Sequence, residues 1–295
     1  TVSVLYWKRR LTAMSTLGDR PDLRTATEMR PREARVGELA AYDGSAWIMA
    51  GGTSVVVGLT GPTAPGKAAH EKPDEAVVTV AVQRGQGLPN GGGASRILLD
   101  RRREALVGED ADVAEALRQC VSAAVQLREY PRCVFAFAVH VLSDDGGLLA
   151  AALNAAMLAL LDAGVSCRST FAASAVAVVP APSSAGPSAS TSLLGGAGEL
   201  VIDPIADEEA VALATATYCH AIPATGGGVL LSKLRCKRPL PLSDAGVLER
   251  TAAGVAESVF DFYRQCLAPP EAEQPPAAAN GTNGNNGDAD DVVMV

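Results

Sequence analysis

Runs of β-branched and apolar residues bounded by turn formers occur at 53–59, 76–82, 133–142 and 171–179, with a shorter run at 199–202. They read as strands. Elsewhere apolar positions recur at helical spacing. Over 112–127, Val113, Leu117, Cys120, Val121 and Ala124 share one face. Residues 150–162 are apolar on nearly every side and stop before Gly164, which predicts a helix buried between layers with a glycine C-cap. A last helix is expected from Ser243-Asp244, both good N-cap residues, with Val255, Val259, Phe262 and Cys266 on its buried stripe. His140 lies inside an apolar strand and is expected to be a core histidine. Strands and helices come in mixed order, so the body is expected to be one α/β (α+β) domain of mixed sheets and packed helices.

Composition adds boundaries. The chain has 295 residues, 48% hydrophobic and 20% charged, enough to bury a substantial core. No run of apolar residues is long and uninterrupted enough to span a membrane, and no secretory leader is expected. The six cysteines are scattered with no C-x-x-C pair, which fits small apolar residues in a reducing compartment. Residues 268–295 are rich in Pro, Ala, Asn and Gly and are expected to be a disordered acidic tail. Residues 1–18 are expected to be peripheral, and 180–198 to be a flexible Pro/Ser/Gly-rich insert within a domain spanning 19–267.

The net charge is −8, and five acids with no Lys or Arg fall in 268–295. The body is therefore close to neutral, which excludes a free-standing nucleic-acid binder with a broad basic face. A single basic strip remains possible at Arg96, Arg101, Arg102, Arg103 and Arg118. Arginine forks suit phosphate oxygens, and the same residues would also serve as a solvated loop.

Carboxylates gather in two places. Ser143-Asp144-Asp145-Gly146-Gly147 stands between a strand and the buried helix. There helix amides can receive an anion or the acids a cation; the alternative is a tight turn with dipole-stabilised carboxylates. Asp203, Asp207, Glu208 and Glu209 follow another strand. They could ligate magnesium or act as a general acid, or form the acidic first turn of a helix. A magnesium ion shared by Asp144, Asp145 and Asp203 would need a convergence that spacing cannot supply. His70 and His220 have no partner at ligand spacing, and there is no P-loop or dinucleotide glycine fingerprint. From these residues alone the activity is undecided.

Several segments together resemble the RNase PH family. Arg20-Pro21-Asp22-Leu23-Arg24, followed by Met29-Arg30-Pro31, is similar to its Arg-Pro-Asp-Gly-Arg…Arg-Pro opening. Gly44-Ser45-Ala46 with Gly51-Gly52-Thr53 resembles its Gly-Ser-Ala…Gly-Asp-Thr element, with Gly52 in place of the acid. The longest match runs through Asp144-Asp145-Gly146-Gly147-Leu148-Leu149, Leu153-Asn154-Ala155-Ala156 and Leu161-Asp162-Ala163-Gly164-Val165. The resemblance covers roughly 20–267, and it is narrowest to eukaryotic members of the catalytically silent type that build the hexameric ring of the RNA exosome.

That resemblance implies a single RNase-PH-like domain of the ribosomal protein S5 domain 2-like kind. It also implies related ring subunits, exosome cap proteins and single-stranded RNA as partners, with no membrane, metal or cofactor. The expected locations are nucleus, nucleolus and cytoplasm, with roles in rRNA processing and mRNA turnover. Active relatives place Thr-Arg or a similar pair directly after Gly-Gly, where this chain has Leu148 and Leu149. The family's two essential acids fall on Asp203 and Glu209, the second longer by a methylene, and Asp145 is a further remnant acid. Leu117-Arg118 matches an RNA-contacting arginine, with Arg96 and Arg101 to Arg103 as further backbone contacts. The implied function is a non-catalytic ring subunit; the alternative is an active phosphate-dependent 3′-to-5′ exoribonuclease.

Overall fold

A computed structural model describes residues 20–66, 72–84, 96–180, 192–194, 198–222 and 228–268; within 96–107 it describes the backbone alone. The sequence-predicted peripheral segment 1–18, His70 and nearly all of the tail 268–295 lie outside these residues. So does most of the insert 180–198, although Ser192–Leu193 forms a short strand within it.

The chain forms two five-stranded sheets with a helix between them. The first sheet contains β1 (Arg32–Val36), β2 (Gly44–Ala50), β3 (Thr53–Thr63), β4 (Val77–Arg84) and β5 (Val134–Ser143), in the order β1-β2-β3-β5-β4. All neighbours are antiparallel except β4 and β5, which run parallel. A parallel pair cannot close with a tight turn, and the crossover here is α1 (Arg96–Ala124), which packs on β4. The second sheet contains β6 (Thr170–Pro180), β7 (Ser192–Leu193), β8 (Gly198–Ile202), β9 (Ala214–Ile222) and β10 (Val229–Cys236), in the order β10-β9-β6-β8-β7. It is antiparallel throughout.

Helix α2 (Leu148–Asp162) fills the space between the sheets, touching β2 and β3 on one side and β6 and β9 on the other. Contact on two sides explains why thirteen consecutive residues, Leu148 through Leu160, are buried. Each large side chain such as Leu153, Met157 or Leu158 contributes about 1.5–3 kcal/mol by leaving water. Gly164, at φ +65°, lets the chain leave the helix in the left-handed region that other residues resist. Gly44 is needed where β2 crosses the helix, because a Cβ there would lie 2.3 Å from the Ala159 carbonyl oxygen.

Helix α4 (Leu242–Leu267) covers the outer face of the second sheet. Its N-cap is Pro241, and Asp244 instead accepts a hydrogen bond from the Leu194 amide at 2.8 Å. The buried stripe is Leu248, Ala252, Val255, Val259 and Tyr263; Phe262 and Cys266 are only half-buried, which corrects the sequence expectation. The corrected stripe keeps helical spacing but is rotated by one residue towards Tyr263, whose hydroxyl finds a buried partner in Asn154 at 2.7 Å.

His140 is also corrected. In β5 the core side carries Phe135, Phe137, Val139 and Val141, so His140 falls on the opposite, half-buried face. Helix α1 starts sixteen residues before position 112, taking in an arginine-rich stretch that by sequence alone would also serve as a solvated loop. Five strands escape the hydrophobic reading: β1, β2, β7, β9 and β10 are short, small-residue or exposed. The short helix α3 (Ala206–Val211) follows β8 and carries the acidic turn. No helix among the described residues is long and apolar enough to cross a membrane.

Candidate functional site

The two carboxylate clusters meet where β5 turns into α2. Gly146 takes φ +87°, and a Cβ there would lie 2.7 Å from backbone atoms of Pro204, Ile205 and Ala206. The turn after β5 is thus pressed directly onto the turn after β8, and the Ala206 amide donates to the Asp145 carbonyl at 3.1 Å. Thr53 ties the same turn to β3. Its hydroxyl donates to the Gly146 carbonyl at 2.7 Å and accepts from the Asp145 amide at 3.0 Å.

Arg30 threads the junction. It donates to the carbonyls of Asp145 at 2.9 Å and Gly146 at 3.1 Å, and to Asp203 Oδ1 at 2.6 Å. Its amide donates to Asp203 Oδ2 at 3.1 Å, and Arg32 stands 3.7 Å from the same oxygen. Asp203 adopts φ +51° and is buried. Burial pushes its carboxyl upward, but the hydrogen bond and charge of Arg30, joined by Arg32, win and hold it below the usual carboxylate range.

Glu208 has a similar fate. Arg20 grips it through Nε–Oε1 at 2.8 Å and Nη2–Oε2 at 2.7 Å, and also donates to the Ile202 and Asp203 carbonyls. Leu23, at the glycine position of the family's opening, keeps a left-handed φ of +63° and is exposed. Asp203 and Glu208 therefore tie the arginines of the opening segment to the turn after β8. Among the four acids of that turn, only Glu209 lines the adjacent cleft.

The cleft has a volume of about 150 Å³. Its wall is formed by Leu148 and Leu149 at the start of α2, by Glu209, and by Arg84, Lys233 and Arg235 from strands β4 and β10. The Gly147 amide, at the mouth of α2, donates to Glu209 Oε1 at 2.9 Å. Burial raises the Glu209 carboxyl above its ordinary range; the Gly147 hydrogen bond opposes this, while the charge of Asp144 adds to it.

Each basic side chain lining the cleft already faces an acid. Arg84 donates to Asp110 at 2.6 Å and to Asp144 at 2.9 Å. Lys233 and Arg235 share Asp112, at 2.8 and 3.3 Å. Arg84, Lys233 and Arg235 are absent from the sequence reading because they come from two strands about 150 residues apart in the chain. The alternation of Lys233 and Arg235 along one strand face was the one local signal available.

The other sequence-predicted residues are scattered. Arg118 is exposed on α1 and forks onto Glu115 at 2.6 and 2.9 Å. The side chains of Arg96, Arg101, Arg102 and Arg103 lie outside the described ones, although their backbone belongs to α1. Asp145 is half-buried with its carboxylate packed against Gly52, where a Cβ would come within 2.6 Å of Oδ2. Asp144 is held by Arg84 and Asp203 by Arg30 and Arg32, and no cluster of three His, Cys, Asp or Glu able to hold a metal occurs among the described residues. His220 is half-buried with neither ring nitrogen hydrogen-bonded. All six cysteines are free.

Comparison with known proteins places this architecture. Residues 28–166 match the family described as RNase PH, 3′ exoribonuclease family, domain 1. They belong to the RNase PH family. This stretch runs from the Arg30 segment through β1–β5 and α2, and so includes the turn that Arg30 binds. Exosome complex component MTR3 of Homo sapiens is 33% identical over 178 residues, covering 55% of this chain and 60% of that protein. Exosome complex component RRP41 of Homo sapiens is 35% identical over 166 residues, covering 54% and 62%. The chain thus spans about three-fifths of the length of these relatives.

Solved structures extend the likeness across both sheets. Rice (Oryza sativa) Rrp46 superposes with a TM-score of 0.64 at 21% identity, covering 84% of this chain and 100% of that one. A chain of the Archaeoglobus fulgidus exosome with RNA bound to the active site gives 0.60 at 18% identity, covering 88% and 99%. At these identities the likeness carries the fold, and the RNase PH fold is the one this chain has.

Proposed function

We propose that this chain is a non-catalytic, RNase-PH-type subunit of an RNA exosome ring, supporting 3′-to-5′ RNA processing and degradation carried out by a nuclease elsewhere. The similar proteins named as exosome components support the assembly part of this reading. One observation carries the non-catalytic part: the cleft at the start of α2 presents Leu148 and Leu149, and its basic residues are already paired with acids.

Phosphorolysis brings inorganic phosphate against a phosphodiester, so two anions must be held in contact. That demands fixed cations and amide donors to offset their repulsion. Here Leu148 and Leu149 offer neither a charge nor a side-chain donor. The Gly147 amide, a donor at the mouth of α2, is taken by Glu209. Asp203, the better retained of the two family acids, is bound by two arginines. The same acids and arginines instead make a rigid junction between the two sheets.

In this reading the partners are related ring subunits and exosome cap proteins, and single-stranded RNA passes along the ring. Arg118, with Arg96 and Arg101 to Arg103 on the same helix, supplies backbone contacts that lower the cost of moving phosphates. The locations that follow are nucleus, nucleolus and cytoplasm. The test is phosphate-dependent RNA decay by the isolated chain, paired with affinity purification from native extract. Recovery of related ring subunits with no release of nucleoside diphosphates is expected. Processive diphosphate release by the chain alone would overturn the non-catalytic reading, and purification without ring subunits would overturn the assembly.

A further inference from the structure

A second, smaller cavity lies on the other side of Gly147 from the cleft. Its volume is about 20 Å³, and it is walled by Ile48, Val259 and Phe262 together with Arg30, Arg32 and Asp203. The charges do not balance. Arg30 and Arg32, with side chains 4% and 13% exposed, face the one carboxylate of Asp203. The nearby Glu208 is consumed by Arg20. Arg32 stands 3.7 Å from Asp203, beyond hydrogen-bond distance, and Arg30 Nε is buried with no hydrogen-bond partner.

A surplus cation in an apolar enclosure costs several kcal/mol unless a counter-charge accompanies it, and an unmet buried N–H adds to that. The geometry points to a site for a single small monoanion of halide size, received by the Arg32 guanidinium where it faces this cavity. A volume of this size admits one water-sized particle and is too small to enclose phosphate, sulfate or a phosphodiester. The site is thus separate from RNA chemistry and independent of the proposed ring function. Burial, and to a smaller degree the charge of Arg30, depress the Arg32 guanidinium, and a bound anion would relieve both effects. Such an anion would brace β1, which carries Arg32, against the Asp203 turn. A water molecule in this cavity would leave the charge uncompensated.

The experiment compares thermal unfolding of the full chain in sodium chloride, sodium bromide and sodium gluconate at matched ionic strength, gluconate being too large to enter. Both halides should raise the midpoint by roughly 2–4 °C over gluconate once well above the dissociation constant. Arg32→Met, which removes the surplus charge, should abolish the difference. Because that variant can fail to fold, anomalous scattering from bromide-soaked crystals of the unaltered chain provides a second readout. A peak beside Arg32 within this cavity supports the site. Equal midpoints in all three salts, or bromide at the surface alone (an adventitious ion only), would overturn it.

Discussion

Asn154 sits in a helix whose other buried residues are all apolar, and its amide satisfies three groups at once. It donates to the Ala173 carbonyl at 3.0 Å and accepts from the Ala173 amide at 2.7 Å and the Tyr263 hydroxyl at 2.7 Å. β8 pairs with β6 only from Val176 onward, so the amide stands in for the missing strand beside Ala173. Asn154→Ala would strand three buried polar groups and should cost about 3 kcal/mol, read from urea unfolding. A loss below about 1 kcal/mol would mean that water replaces the amide. Glu209 gives a pH-dependent test. Its folded carboxyl titrates above the unfolded one, so its contribution is full in acid and is lost as pH rises through the folded value. Glu209→Gln keeps the acceptor for the Gly147 amide without the charge. It should therefore gain stability relative to the parent chain as pH rises from about 4 to about 7; a constant difference would show that burial of this charge carries no cost. At this scale the sequence marked Asn154, Asp203 and Glu209 as notable. It could not say that one splints a strand, another binds two arginines and the third meets a helix mouth, because each partner lies tens of residues away.

Among the elements, β10 is the edge of its sheet and carries both Lys233 and Arg235 to the cleft, where Asp112 of α1 holds them. These ion pairs are exposed or half-exposed, so their contribution to stability is small. Asp112→Ala should leave unfolding within about 1 kcal/mol of the parent chain. In the proposed function it should also release two cations, tightening binding to single-stranded RNA and steepening its salt dependence by about 1.4 units. Unchanged affinity and slope would place the cleft off the RNA path. Elements with a strong apolar period were legible in the sequence, α2 above all. β1 and β10 were not, because charged side chains break up their apolar positions and each is an edge strand with a neighbour on one side only. The parallel pairing of β4 with β5 was equally invisible, since strand order depends on where α1 packs rather than on either strand.

For the whole molecule, Arg20 and Arg30 reach from the opening segment to the turns that join both sheets. Removing one partner of a buried pair leaves an unpaired charge, so Asp203→Ala should destabilise the chain by about 3–5 kcal/mol. The parent's own share from Asp203 is present at neutral pH. It disappears as pH falls below the usual carboxylate range, because the folded carboxyl titrates lower than the unfolded one. An acid-unfolding curve that Asp203→Asn leaves unmoved would contradict this. In the proposed function, Arg118→Ala in a reconstituted ring should leave assembly intact and lower the salt slope of RNA protection by about 0.7, the increment of one single-strand phosphate contact. An unchanged slope would confine Arg118 to its pair with Glu115.

Local sequence was enough for the family match over 28–166, for the buried central helix and for the identities of Leu148 and Leu149 after the glycine pair. These are local: a motif, an apolar run and two residue identities need no knowledge of the rest of the chain. Tertiary structure alone decided what the acids do. Asp203, Glu208 and Asp144 became arginine partners and Glu209 became the acceptor for a helix amide. A carboxylate's role follows from which charges and amides lie within a few ångströms, and those neighbours are assembled by the packing of two sheets on one helix.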